Sequence, residues 1–290
     1  MSKHRPPFNP SKFADMLDKG MYATGSKGEE LKSEREDLVA WLRKKGKKSQ
    51  ACLDLADKLD PCRPKHRCQS AACPECAAAG QRLVAVATRQ FLKVQANGGT
   101  IVCVTVVPVD GMIKPGKLNK ADHERAIRRW KEKLGKAGVT WFVGATDWSF
   151  NEDKQAKHKP RWSEHIYGVT RNRDPEKLKK MLRGQFPKTK AIPRPVKVEE
   201  WDRNNKALRY ILKPNFWRRI ANDYAQRYNK KTGTTRSCRG TDHQHLKSKQ
   251  KRELLIHLGD VGIQSRLLMR WCQLLNKKPG GPTIVLRVPK

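Results

Sequence analysis

Val139-Thr-Trp-Phe-Val-Gly-Ala-Thr-Asp-Trp-Ser-Phe150 and Arg161-Trp-Ser-Glu-His-Ile-Tyr-Gly-Val-Thr170 are the stretches from which the fold is read. Both are rich in β-branched and aromatic residues, and the polar connection Asn151 to Pro160 between them predicts an antiparallel pair of strands. Outward from that pair, helical and strand periods alternate. Thr100-Ile-Val-Cys-Val-Thr-Val-Val107 reads as a buried strand ended by Pro108, and Asn119 is placed to cap a helix running to about Lys136. Ile127, Trp130 and Leu134 fall on one face of that helix. On the other side, Asp174-Pro175 opens a helix to about Gln185, with Asp as cap and Pro at the first helical position. Pro195 to Trp201 is a fourth strand, and Asn204 to Lys213 a short helix stopped by Pro214.

The order β-α-β-β-α-β-α predicts the α+β class, with a ferredoxin-like βαββαβ palm and one added helix over residues 99–213. Residues 1–28, with Pro6-Pro7, Pro10, Gly20 and Gly25, read as a mobile arm. Residues 29–60 read as a helical preface of two short helices broken near Gly46. Residues 61–98 hold a cysteine cluster followed by a helix over Ala77 to Val94. Residues 214–290 read as a basic loop, Pro214 to Ser248, and then two helices around Gly259 and Gly262. Such a pair admits a helix-turn-helix reading, with Gln264, Arg266 and Arg270 facing DNA, beside that of a plain packed hairpin.

The chain has 290 residues with 63 Lys and Arg against 28 Asp and Glu, a net charge of +35. Residues 1–60 carry 13 basic and 10 acidic side chains, and residues 61–290 carry 50 and 18, so the excess belongs to the later part. That balance predicts a polyanion as partner. Lys and Arg interleaved with Trp suit phosphates plus stacked bases, the pattern of single-strand binding. No apolar run approaches the roughly 18 residues of a spanning helix and no signal-peptide core begins the chain, which predicts a cytoplasmic protein without a membrane.

Three constellations carry chemistry. Cys62, Cys68, Cys73 and Cys76 lie within 15 residues, and Cys73-Pro-Glu-Cys76 is a CxxC knuckle, so four thiolates predict a structural zinc ion. His66 is a substitute ligand if Cys62 is not used, while Cys52, Cys103, Cys238 and Cys272 are scattered thiols. In the strand Arg161 to Thr170, His165 and Tyr167 share a face, where a His-x-His pair would offer two imidazoles to one divalent ion. Asp147, on the preceding strand, is placed to add a carboxylate, and Glu164 points to the opposite face. In Lys206-Ala-Leu-Arg-Tyr-Ile-Leu-Lys213, Tyr210 and Lys213 share a helix face. A phenol with a pKa of about 10 needs a neighbouring cation or a polarised phosphate to act as nucleophile. The alternative is an aromatic anchoring its helix to the sheet.

In this order the Cys-x5-Cys-x4-Cys-Pro-x-Cys cluster, the strand ending in Val-Pro, the strand with Asp147, Trp162-x-x-His165-x-x-Gly168-Val169 and Tyr210-x-x-Lys213 resemble the HUH endonucleases. The likeness covers about residues 60–215 and is to the rolling-circle replication initiators of bacterial plasmids and phages. It implies a DNA nickase that uses Mg²⁺ or Mn²⁺, attacks a phosphodiester with Tyr210 beside Lys213, and leaves a 5′-phosphotyrosyl link and a free 3′-OH. It further implies His165, Asp147 and Tyr167 as the metal-facing positions, with Tyr167 standing where the family has a second histidine. Single-stranded or hairpin DNA is the implied substrate, with host replication proteins as further partners. Arg161, Trp162, Arg171, Arg209, Arg218 and Arg219 are the expected nucleic-acid contacts.

Two other readings stand beside it. A degenerate relative would grip DNA or RNA on the same surface without cutting, and Tyr167 is the residue that separates the two. An RNA-recognition fold would stack bases on Trp141, Trp148 or Trp162. His243-Gln-His245 is a second His-x-His, in a predicted loop. Phosphate-loop, GxSxG and HExxH signatures are absent.

Overall fold

The computed structural model describes residues 28–64, 66–95, 99–229, 232–277 and 281–286. The arm expected over residues 1–28 lies outside them except for Gly28. The chain is α+β, built on a curled mixed sheet. Helices α1 (Gly28–Gly46), α2 (Gln50–Leu59) and α3 (Pro74–Gln95) precede β1 (Thr100–Val106), a short β2 (Met112–Ile113) and α4 (His123–Lys136). Strands β3 (Phe142–Asp153) and β4 (Arg161–Asn172), helix α5 (Pro175–Gln185), strand β5 (Val196–Glu200) and helix α6 (Asn205–Arg209) follow. Strands β6 (Arg218–Asn229) and β7 (Thr234–Gln244), helix α7 (Ser248–Ser265) and strands β8 (Leu267–Arg270), β9 (Cys272–Lys277) and β10 (Gly281–Leu286) complete the described chain.

Strands β5, β1, β4 and β3 lie side by side in that order, all antiparallel. The side chains alternate between two faces. One face, with Val102, Val104, Val106, Ile166 and Val198, packs on Ile127, Trp130 and Leu134 of α4 and on Leu178 and Leu182 of α5. The other face, with Ile101, Val143, Ala145 and Val169, joins a second core with Leu83, Val84 and Phe91 of α3 and with Leu208, Ile211 and Leu212 beside α6. Each of these buried aliphatic side chains contributes about 1.5–3 kcal/mol of transfer free energy. The second core runs from Leu38 to Ile284, so the helical preface, the cysteine region and the C-terminal strands are layers of one body. Gly144 and Gly168 face each other across β3 and β4 under the Phe142 ring, where a Cβ on either would lie 2.3–2.5 Å from ring carbons.

Strand β3 has two partners on its outer edge. Residues Phe142 to Ala145 pair antiparallel with β8, and Phe150 to Asp153 pair in parallel with β6. Between them residues 146–149 have no strand neighbour on that side. Their edge is met by loop groups instead: Thr146 N–H donates to Arg266 O at 2.8 Å, and Phe150 N–H to Trp217 O at 3.1 Å.

Four expectations are corrected. Helix α4 is capped by Asp122, whose Oδ1 accepts from Arg125 N–H at 2.9 Å; Asn119 sits in the preceding turn Leu118–Lys120. Residues 214–248 are not a loop but the β6–β7 ribbon, closed at Gly233 with φ of +63°. Ile220 is the buried side chain on the described part of β6, so the ribbon lacks the apolar face from which a strand is read. Gly262, with φ of +70°, kinks α7, the helix runs on only to Ser265, and Leu267 to Leu275 then form β8 and part of β9 in place of the second helix expected there. An apolar run buried on both faces carries no period that separates strand from helix. The helix-turn-helix reading falls with it, since Gln264 Nε2 bonds Gln69 and Arg266 is 1% exposed.

Behind β4, Glu164 is buried and its carboxylate meets His123 Nδ1 at 2.7 Å, while His123 Nε2 lies 2.9 Å from Ser265 O. Burial opposes a charge on His123, but the Glu164 carboxylate outweighs it and holds the imidazolium above its ordinary range. A raised native value contributes stability that is complete below the unfolded value of about 6.5 and is lost as pH rises through the native value. The neighbouring His257 is pushed down to about 3 by burial, so its linkage acts below that window, not above it. The thermal midpoint of the wild type is therefore expected to fall as pH is raised from about 7.5 to about 9, where unfolded histidines are already neutral, and that slope to flatten in Glu164→Gln. Differential scanning calorimetry across the series measures both.

Candidate functional site

The cysteine cluster forms where α3 begins. Pro74 starts the helix one residue after Cys73, which turns the Cys76 thiol back toward Cys62 and Cys68. Cys62 and Cys76 sulfurs lie 3.4 Å apart, Cys68 and Cys76 3.6 Å, and Cys62 and Cys73 3.6 Å. Four sulfurs at about 2.3 Å from a tetrahedral zinc ion stand about 3.8 Å from one another, so this set could hold a metal such as zinc. Among the described residues it is the one group of three or more His, Cys, Asp or Glu side chains that converges on an ion-sized point. Glu75 sits inside the knuckle and is buried, bonded to Arg35 Nε at 2.8 Å and Arg67 Nη1 at 3.0 Å. These buried pairs tie α1 and the cysteine loop to the start of α3.

The same helix reaches the tyrosine. Gln81 Nε2 donates to Arg209 O at 2.6 Å, and Gly80 lies against Ile263 and Leu212, where a Cβ would stand 3.0 Å from Ile263 Cγ2. The turn Tyr210–Leu212 thus presses Ile211 and Leu212 into the core and leaves the Tyr210 side chain outward, 48% exposed.

On the sheet beneath, register places Asp147 opposite His165, and Ala145 opposite Tyr167. Lys213 closes the group. Its ammonium lies 2.6 Å from Asp147 Oδ2 and donates to Tyr210 Oη at 2.9 Å. Burial opposes the Lys213 charge, but the Asp147 carboxylate outweighs it and holds the ammonium above its ordinary range. Burial also pushes the Asp147 carboxyl up, and Lys213 pulls it back. Arg266 fixes the Lys213 backbone from below: Nη2 donates to Lys213 O at 3.1 Å and, with Nε, to Thr146 O at 3.2 Å. Burial between Trp148 and Phe216 lowers Arg266 to about 10.

His165 Nε2 and Ser149 Oγ lie 2.8 Å apart, and burial, with Arg219 and Lys213 nearby, lowers the imidazole to about 3. The Tyr167 ring meets the Tyr210 ring edge to face at 4.8 Å. Burial, with Cys103 as neighbour, raises its phenol. Farther along this face β6 and β7 bring Arg219 opposite His243, and the Trp217 ring lies 5.5 Å from that of His245 and 6.4 Å from that of His243. His243-Gln-His245, set in a loop by the sequence reading, therefore belongs to the Tyr210 face.

The expected Mg²⁺ or Mn²⁺ set does not fit a hard divalent ion, which takes several oxygen ligands. Asp147 Oδ2 already holds the Lys213 ammonium and only its Oδ1 is left open, His165 Nε2 is engaged with Ser149, and burial raises the Tyr167 phenol, a poor metal ligand while protonated. Of the expected nucleic-acid contacts, Trp162 is 0% exposed and packs on Phe150, so it belongs to the core. Trp141 and Trp148 are buried too, which removes the base-stacking role considered for all three. Arg161 bonds Ala191 O, Arg171 bonds Gln95 O, and Arg218 pairs with Glu152 at 3.1 Å. Arg209 is exposed beside Tyr210, and Arg219 faces the site. Arg266 and Trp217 were not read from the sequence as part of this site, because both depend on strands that the apolar pattern did not announce.

No protein-family model, curated protein or solved structure matches this chain. No helix among the described residues is long and apolar enough to cross a membrane.

Elemental analysis of the purified protein is expected to give one zinc ion per chain, and Cys73→Ser to lose it. Because metal binding to such a set is coupled to folding, the variant is expected to unfold several kcal/mol more readily. Metal content together with urea midpoints checks both.

Proposed function

We propose that this chain is a replication-initiator-like protein of the HUH type, which binds single-stranded or hairpin DNA and cuts it by attack of Tyr210 on a phosphodiester. One observation carries the proposal. An exposed phenol lies 2.9 Å from a buried-side ammonium, which is itself fixed by a carboxylate on the sheet. A tyrosine that served only to anchor its turn would be buried, whereas here Ile211 and Leu212 do the anchoring. The strand order β5-β1-β4-β3 with α4 and α5 on one face supports a ferredoxin-like palm, and the Tyr210 turn lies on its other face.

The Lys213 ammonium stands beside Tyr210 Oη as a fixed positive charge at the position a phosphate oxygen would approach. Steering of the polyanion comes from the +35 net charge. Arg219 and His243 of the β6–β7 ribbon, with Trp217 and His245 just outside its strands, extend the same face with a mix of cations and aromatic rings that suits a flexible strand. Zinc at the cysteine cluster would hold α3, and through Gln81 the carbonyl of Arg209, in place.

A second reading, binding without cutting, is favoured by Tyr167 in the place of a second histidine and by the pairing of Asp147 with Lys213. Incubation with labelled single-stranded and hairpin DNA pools separates the two. The proposal expects a covalent protein–DNA adduct on denaturing gels that disappears in Tyr210→Phe while affinity changes by less than about threefold, since the phenol oxygen is exposed. Tight binding with no adduct under any condition leaves the second reading. Affinity in either case is expected to fall about tenfold or more for a fourfold rise in salt.

A further inference from the structure

We infer that the phosphate attacked by Tyr210 is held by two side-chain cations, Lys213 and Arg219, and that the covalent step needs no divalent ion. The inference rests on the reading of Tyr210 as nucleophile and changes what stabilises the reaction.

Three observations carry it. Asp147 Oδ2 is taken by the Lys213 ammonium at 2.6 Å, which leaves Oδ1 as the one open oxygen where a hard divalent ion takes several, and the Lys213 main chain is clamped by Arg266. Lys213 is thus held at both ends, and its ammonium also donates to Tyr210 Oη. Arg219 is the second cation. It is half-buried on the same sheet face, its Nε is buried without a hydrogen-bond partner, and no carboxylate pairs with it among the described residues. Its neighbour Arg218 is neutralised by Glu152, so the two adjacent arginines are used differently. A buried guanidinium N–H left unused is costly unless an acceptor completes it. Arg219 acts electrostatically on His165 and on His243, and Lys213 acts on the same two imidazoles. By register Arg219 lies opposite Asn151 of β3 and His243 of β7, on the sheet face that carries Asp147 and His165, so both cations bear on one face.

A phosphodiester carries one negative charge and gains a second as the nucleophile adds. Two fixed cations beside it favour that change, as preorganised donors do elsewhere, and the guanidinium fork matches two phosphate oxygens. In the step, the Tyr210 Oη–P bond forms as the P–O3′ bond breaks. The phenol gives its proton to water, and the departing 3′ oxygen takes one from water. No oxidant, reductant or further co-reactant enters.

The test uses the full-length protein with its cysteine-bound metal, dialysed free of Mg²⁺ and Mn²⁺ and checked by elemental analysis, with a labelled single-stranded oligonucleotide on which the wild type forms an adduct. Adduct formation is expected at rates within about twofold with and without added Mg²⁺ or Mn²⁺. Arg219→Ala and Lys213→Ala are each expected to slow it by about 10²–10³-fold, the usual loss for one charge-stabilising donor. Arg219→Lys keeps the charge but not the fork, and is expected to fall between Arg219→Ala and wild type. Circular dichroism and thermal midpoints confirm that each variant is folded, and Arg219→Gln replaces Arg219→Ala if the latter is not. An adduct that forms only with added Mg²⁺ or Mn²⁺, or one that forms at the wild-type rate in Arg219→Ala, overturns the inference while leaving Tyr210 as nucleophile. No adduct from the wild type under any condition overturns the nucleophile reading and the inference together.

Discussion

The ion pair between Asp147 and Lys213 is possible because strand β3 is interrupted on its outer edge. Its two ends are paired to β8 and to β6, and in the gap at residues 146–149 the edge is met by the main chain and guanidinium of Arg266. That guanidinium also takes Lys213 O, which brings the lysine head down to the carboxylate. A buried pair of this kind is costly to assemble and more costly to halve, because the partner left behind is an unpaired buried charge. Sheet, C-terminal segment and tyrosine turn are therefore committed to one another at a single point. The exposed phenol of Tyr210 is placed by that commitment.

A second line of support comes from the opposite side. Cys73 and Cys76 open α3, Glu75 inside the knuckle binds Arg35 and Arg67, and Gln81 one turn later holds Arg209 O. Gln69, between Cys68 and Cys73, accepts from Ile263 N–H at 3.1 Å and from Gln264 Nε2 at 2.8 Å, just before Arg266. The cysteine region thus touches both segments that carry Lys213 and its clamp. A metal held by the four cysteines would make these contacts rigid without enlarging the apolar core.

Much of this was legible in the residues. The strands around residues 100–107 and 142–170 follow from β-branched runs, and the facing of Asp147 and His165 across the ladder follows from strand alternation. Asp174-Pro175 marks a helix start by cap chemistry alone, and the structure shows Asp174 accepting from Lys177 N–H. What escaped was set by distant partners. The β6–β7 ribbon has no apolar face, so its polar residues looked like a loop until pairing with β3 supplied the reason for a strand. Leu267 to Met269 are buried on both sides by β3 and the helices, which erases periodicity. Trp162 reads as a stacking aromatic beside Arg161, yet it fills the core against Phe150, a matter of which face of β4 is covered. Lys213 could be read as a neighbour of Tyr210 from helix spacing, but its reach to Asp147 belongs to the tertiary fold.

The most direct measurement is a crystal structure of the Tyr210→Phe protein with a short single-stranded oligonucleotide. The account predicts a phosphate lying between the Lys213 ammonium and the Arg219 guanidinium, with the Phe ring edge facing phosphorus in line with the 3′ oxygen and a base near Trp217. A strand that instead follows the cleft of Thr140, Arg171, Arg173 and Lys177, with the Lys213 and Arg219 face uncovered, would contradict it.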